Sequence, residues 1–463
     1  MTDPQELVDE ALQLSAADGC VALVTEHSQT NLRWAANSLT TNGQSQSRSM
    51  TVVSLSERAD GTSAGVITRS IASPEEVADL VRSSERAARE AEPADDAAPL
   101  IEPYPHDDAW DVSPRRTDVG VFERFTGELA EVFASWGKRD QLLYGYAEHE
   151  VASTFLGTST GLRRRFDQPT GIVEINGKSA DLARSSWAGM HTVDFTDVDV
   201  AAIADDLDRR LGWARSRVDL PPGRYETILP PSAVADLMIY AYWTMSARDA
   251  EEGRNVFAGP NGTRIGDRLA ALPLTLRSDP GDSRLRCRPF EVAAASSAGL
   301  QSVFDNGQPV EPANWIERGT LTELVRTRAW AQQTDATPRP YVDNLILENS
   351  GPDATADLDA MIGNTERGLL LTCLWYIREV DPQTLLLTGL TRDGVYLVEN
   401  GQVRAAVNNF RFNESPIDLL ARASEAGVSE PTLGREWSDY FRRTAMPALR
   451  IPDFNMSTVS KAL

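Results

Sequence analysis

Histidine is scarce in this sequence. His27, His106, His149 and His191 are spread over 463 positions, and no two lie within six residues of each other. No local histidine pair can therefore clamp a metal ion from one stretch of chain. The dipeptide His149-Glu150 begins a zincin motif, which needs a second histidine three residues after the glutamate. Ser153 stands there, and the segment alternates like a strand. Cysteine is equally thin. Cys20, Cys287 and Cys373 are odd in number and far apart, which gives neither a C-x-x-C pair nor a disulfide framework, and they read as buried reduced thiols. No run approaches the roughly 18 apolar residues that span a bilayer. The opening Met1-Thr2-Asp3-Pro4-Gln5-Glu6 has no basic start followed by an apolar stretch. A cytoplasmic location without a membrane partner is expected. Basic residues are also in deficit: 45 Lys and Arg stand against 68 Asp and Glu, a net charge of −23. That field repels phosphates and anionic lipid, so no nucleic acid partner is expected.

Two strings imitate catalytic motifs. Gly157-Thr158-Ser159-Thr160-Gly161 fits Gly-x-Ser-x-Gly, but a nucleophile elbow needs a helix after it, and the surroundings read as a hairpin turn. Gly259-Pro260-Asn261-Gly262 lacks the Gly-Lys-Ser/Thr ending of a phosphate loop and also reads as a turn. A Ser-His-Asp triad built from distant residues stays open.

What is present is a chain long enough for two or three domains, 41% hydrophobic and 24% charged as in ordinary globular proteins. Residues 4–17 have helical periodicity. Strand-like runs follow at Val21–Thr25, Leu32–Ala35 and Ser49–Leu55, and Asp60-Gly61 turns into another at Ser63–Thr68. Ser73-Pro74-Glu75-Glu76 has the chemistry of a helix start, and that helix is expected to reach about Ala91. Residues 92–114, rich in Pro, Asp and Ala, read as a linker. A helix is expected over Val119–Trp136.

A strand meander is expected over Leu142–Ala188. Tyr144, Tyr146, Glu148 and Glu150 fall on one face, and Leu143, Ala147, His149, Val151 and Phe155 on the other. Asn176-Gly177 reads as a type I′ hairpin turn. Helices are expected over Val198–Arg217 and Ser232–Glu252, with a strand at Tyr225–Leu229 between them. The remainder is strand-like, turning at Asn306-Gly307, Arg392-Asp393-Gly394 and Glu399-Asn400-Gly401. The fold class is α+β: an N-terminal domain with a small sheet and linker (1–115), a middle helix and β-meander region (116–220), and a large β-rich, barrel-like C-terminal domain (221–463).

Several segments together resemble the TldD/PmbA (TldE) metallopeptidase family. They are Tyr144–Val151 with Gly157–Gly161, Ala180–Trp187, Gly253–Gly259, Gly368–Tyr376, and the stretch from Val380-Asp381-Pro382 to Val403, all in the family's order. In that family the active TldD-type subunit carries a His-Glu-x-x-x-His helix and a later cysteine as zinc ligands. The zinc polarises the scissile carbonyl and activates water, while the glutamate moves the proton. The segment that looks like this helix is Leu237–Ser246, aligned from Pro231-Ser232 before it and Gly253-Arg254 after it. The two histidine positions fall on Tyr240 and Met245, the glutamate position on Ala241, and no cysteine follows Cys373.

The resemblance thus implies the TldE/PmbA-like member that lacks the zinc motif, with no catalytic residue and no metal or other cofactor of its own. Zinc is expected in the partner, a TldD-type catalytic subunit, and the substrate would be an unfolded or extended peptide undergoing maturation or proteolysis. Tyr144, Glu148, His149, Arg184, Trp187 and Trp243 are the candidate peptide-contacting residues. Two alternatives stand beside this reading. One is an autonomous metallopeptidase whose divergent metal site uses His149, His191 and acids. The other is a homodimeric peptide-binding protein without catalysis. Whether the isolated chain is a homodimer is left open.

Overall fold

The computed structural model describes residues 2–71, 75–105, 109–260, 262–295, 299–351 and 356–460. The helix start at Ser73-Pro74, His106 and Asn261 lie outside the described residues. The first half of the chain builds one half-barrel sheet. Its strands are β1 (Gly19–Ala35), β2 (Ser38–Arg58), β3 (Gly61–Ser70), β4 (Gln141–Thr158), β5 (Arg163–Ser179) and β6 (Ser185–Thr192). They lie in the order β3-β2-β1-β4-β5-β6, every pair antiparallel. β1 pairs with β4 from Val21↔Thr158 to Trp34↔Gly145. Residues 1–115 and 116–220 therefore share a sheet, and the cut read at 115 falls in the segment that connects its two halves.

Alternation sorts the side chains of this sheet onto two faces. Ala22, Val24, Met50, Val52 and Phe155 pack under helices α1 (Pro4–Leu14) and α2 (Glu75–Glu90). Leu32, Trp34, Leu143, Ala147, Val173 and Ile175 pack on that same face under α3 (Glu123–Gly137) and α4 (Val200–Trp213). The opposite face meets the C-terminal part of the chain, where Val21, Leu23, Val53 and Leu156 contact Phe290 and Phe304.

Three expectations change. The runs at 21–25 and 32–35 are one strand of 17 residues. Asn176-Gly177 is no turn. Asn176 pairs with Tyr144 on one side and Trp187 on the other, and Gly177 is there because a Cβ would sit 2.7 Å from the Trp136 ring. The helix expected over Ser232–Glu252 is two helices, α5 (Pro231–Trp243) and α6 (Ala247–Glu251). Between them Met245 and Ala247 exchange backbone hydrogen bonds with Val325, each 2.8 Å, and Ser246 caps α6 by accepting from the Asp249 amide. That pairing outcompetes continuation of the helix.

The C-terminal part is β-rich and barrel-like, as expected. A ten-stranded sheet is centred on Gly223–Leu229, Arg367–Leu371 and Leu449–Val459, and a six-stranded sheet on Leu274–Ser278 and Leu345–Asn349. α5 is buried between them. Pro231 starts it, and its apolar residues run all round the helix, the pattern of a core helix. No helix among the described residues is long and apolar enough to cross a membrane.

Candidate functional site

The C-terminal end of α5 carries two of the positions that the resemblance marks, Tyr240 and Ala241, and the third, Met245, lies just beyond it in the link to α6. Ala241 and Met245 are fully buried in the main core. Tyr240 is half-buried, its ring 5.6 Å from Trp437 and 6.4 Å from Trp243. Trp243 packs edge-on to Trp437 at 5.1 Å and donates its indole N–H to the Tyr341 hydroxyl at 3.2 Å. Tyr242 stacks on Tyr341 at 4.9 Å. Its hydroxyl donates to the Val342 carbonyl (3.1 Å) and accepts from the Val342 amide (2.8 Å). Aromatic rings thus pack around the C-terminal end of α5. Zinc takes thiolate, imidazole and carboxylate donors, and phenol, methyl and thioether side chains do not fit it. Among the described residues, no three His, Cys, Asp or Glu side chains are grouped to hold a metal.

The one acid of this helix is Asp236, and it has a structural task. It is buried, its Oδ1 accepts the Glu436 amide at 2.9 Å, and its own carbonyl accepts the Trp437 indole N–H at 2.9 Å. Burial pushes its carboxyl well above the ordinary range, which favours the neutral acid, and its contacts pin the loop 434–437 to α5. Arg435 in that loop lies over the rings of Trp187 and Trp375, each 5.2 Å away. It also pairs with Asp393 at 2.9 Å and donates to the Cys373 sulfur at 2.6 Å. Burial pushes the Cys373 thiol up to about 12, which keeps it protonated and unreactive. Glu436 accepts the amides of Tyr376 (3.0 Å) and Ile377 (3.1 Å), covering the outer edge of the strand Leu374–Asp381.

The candidate peptide-contacting residues do not converge. His149 sits on the helix-covered face of β4, where its ring nitrogens bond the Thr117 hydroxyl (2.7 Å) and the Val193 carbonyl (2.9 Å); burial lowers its pKa. Glu148 faces the other way and pairs with Arg442 at 3.0 Å. Trp187 is 3% exposed and committed to Arg435. The Tyr144 ring lies beneath Lys178, 5.2 Å from its Nζ. Arg184 donates to the Leu211 carbonyl at 3.0 Å and borders a cleft beyond α4. Trp243 alone adjoins the α5 positions.

His149 and His191, the ligands of the divergent-site alternative, are not brought together. His149 stands opposite Gly171 and, across β5, Thr192, so it shares a face with Thr192 and His191 points to the other side. Burial, with Arg443 and Arg442 nearby, pushes His191 down to about 3. Sequence reading missed Asp236, Arg435 and Glu436. Their only signals are an acid inside an all-apolar helix and a charged pair between Gly434 and Trp437.

Residues 222–458 match the model of the PmbA/TldA metallopeptidase C-terminal domain. The chain belongs to the PmbA/TldD family. Solved structures with the same fold include TldE from Thermococcus kodakarensis, at 16% identity and a TM-score of 0.79 over 97% of this chain and 99% of that one. Candidate modulators of DNA gyrase from Thermotoga maritima (15%, TM-score 0.73, covering 97% and 99%) and Bacteroides thetaiotaomicron (13%, 0.73, 98% and 98%) share it too. No curated protein sequence matches. The PmbA/TldD match takes in α5, the loop 434–437 and the strand that Glu436 covers. The half-barrel sheet precedes it. β3 begins to pair with β2 at Ser49, so among the described residues β2 positions 38–47 pair only with β1 and present a polar outer edge.

Proposed function

We propose that this chain is the non-catalytic subunit of a TldD/TldE-type zinc metallopeptidase complex that cleaves unfolded or extended peptides in the cytoplasm. One observation carries the reading. The helix that resembles the family's zinc helix ends in a packed aromatic and apolar cluster, with Tyr240, Ala241 and Met245 at the ligand and proton-transfer positions. Apolar replacement suits a site that holds no ion, because orphaned buried ligands cost about 1–3 kcal/mol each. In this reading the partner supplies catalysis. The present chain supplies half of the enclosure and, along β2 residues 38–47, backbone groups that an extended peptide can pair with. Folded proteins are excluded by the enclosure.

The test is reconstitution. The purified chain, a TldD-type subunit and their mixture are assayed on an unstructured peptide. Cleavage is expected in the mixture, from a stable one-to-one complex. Cleavage by this chain alone would sink the proposal, and a stable homodimer that binds peptide and ignores the TldD-type subunit would favour the binding-protein alternative.

A further inference from the structure

Beyond α4, the loop between β5 and β6 and the ends of the ten-stranded sheet enclose a cleft of about 500 Å³ that no part of the reading above uses. That volume lies within the range of ligand sites, roughly 300–1,000 Å³. Three guanidinium groups line it: Arg184 from the β5–β6 loop, Arg217 just after α4, and Arg392 from the turn at Arg392–Gly394. They come from three separate stretches of chain, and in a molecule with a net charge of −23 such a convergence of cations is locally against the trend.

Acids lie beside two of them. Asp393 accepts from Arg435 at 2.9 Å and from the Ser185 hydroxyl at 2.5 Å, so it is largely committed inward, and it forms only a loose ion pair with Arg392, whose Nε is 3.6 Å away. Asp219 lies 3.5 Å from Arg217, but these side chains are 81% and 65% exposed, so solvent screens the pair. Arg184 spends one N–H group on the Leu211 carbonyl, which fixes its stem and leaves most of its fork unpaired among the described residues. Leu220, Val395 and Val407 give the cleft an apolar wall.

We propose that this cleft binds a peptide carboxylate, at the chain terminus or on an acidic side chain, through Arg184, Arg217 and Arg392. Guanidinium forks match the planar carboxylate with two parallel N–H···O bonds, and the apolar wall accommodates the residue that carries it. The cleft thereby selects one end, or an acidic residue, of an extended peptide. This inference rests on the peptide reading of the preceding subsection.

The experiment measures fluorescence anisotropy of three labelled hexapeptides of alternating Gly and Ser. One has a free C-terminal carboxylate, one is its amide, and one is the amide with Glu as the last residue. The full chain is compared with its R217Q/R392Q variant and with Arg224→Gln, a control that removes an exposed guanidinium elsewhere. Thermal melts establish that the variants are folded. The chain is expected to bind one or both carboxylate-bearing peptides about tenfold tighter than the neutral amide. R217Q/R392Q should erase that preference without changing binding of the amide, Arg224→Gln should leave it intact, and added salt should shrink it. If all three peptides bind alike, or the preference survives in R217Q/R392Q, the cleft inference is overturned while the peptide reading stands. If none binds, the cleft inference is overturned, and the reconstitution assay decides the peptide reading separately.

Discussion

Asp236→Asn offers a prediction whose size follows from burial alone. In the unfolded chain this carboxyl titrates near 3.8, whereas in the fold burial raises its titration point well above that; the Glu436 amide that it accepts opposes the rise most, the Glu436 carboxylate adds to it and Arg435 works against it. Between the two titration points the native state carries one more proton than the unfolded state. Stability therefore falls as pH rises, by about 1.4 kcal/mol per pH unit, and the loss ends above the folded titration point. Asparagine has the same shape and keeps the acceptor that receives the Glu436 amide. It places N–H groups where the protonated acid holds its O–H, at an oxygen, Oδ2, with no partner among the described residues. Acid and amide should be about equally stable near pH 4. Above that the variant should gain on the parent with the stated slope. Urea denaturation of both proteins between about pH 4 and pH 8 measures the difference. A constant gap, or a variant that becomes relatively weaker as pH rises, would show that Asp236 is ionised in the fold and refute the assignment.

Other substitutions test the packing around the candidate site. Tyr242→Phe leaves the Val342 amide and carbonyl without their hydroxyl partner in the core and should cost about 1–3 kcal/mol in urea denaturation. Gly177→Ala places a methyl group 2.7 Å from Trp136 and should destabilise by about 1–3 kcal/mol, whereas a true hairpin turn would concentrate the strain elsewhere. Arg435→Gln removes Asp393's closest cation and the guanidinium that lies over Trp187 and Trp375, so the chain should lose about 1–3 kcal/mol and the tryptophan emission should shift to the red.

The parts of the fold legible in the sequence are those that local pattern controls. The two faces of β4 follow from alternation: Leu143, Ala147 and Phe155 are buried under helices, and Tyr146 and Glu148 face away from them. The turn expected at Ser159-Thr160 is a turn, and the Ser159 hydroxyl accepts the Cys20 amide at 3.0 Å. The α+β class and the β-rich C-terminal part were equally visible. The joining of β1 to β4 was not, because more than a hundred residues separate the partners and nothing in either strand names the other. Asn176-Gly177 misled because its local turn preference yields to strands on both sides. At the candidate site Tyr240, Ala241 and Met245 could be found only through family resemblance. Asp236 and Glu436 lie 200 residues apart, so no local pattern contains their pairing. His149 attracted a functional reading by its neighbour Glu150, yet alternation puts the two on opposite faces of the strand.

The most direct measurement is the metal content of this chain, expressed by itself in zinc-supplemented medium and purified without chelator. A segment that offers phenol, methyl and thioether groups is not expected to hold zinc, so far less than one equivalent per chain is expected, both for the parent and for Tyr240→Phe. One tightly held zinc per chain, lost on substitution at Tyr240 or at another residue of α5, would contradict the reading of this protein as the silent half of a peptidase.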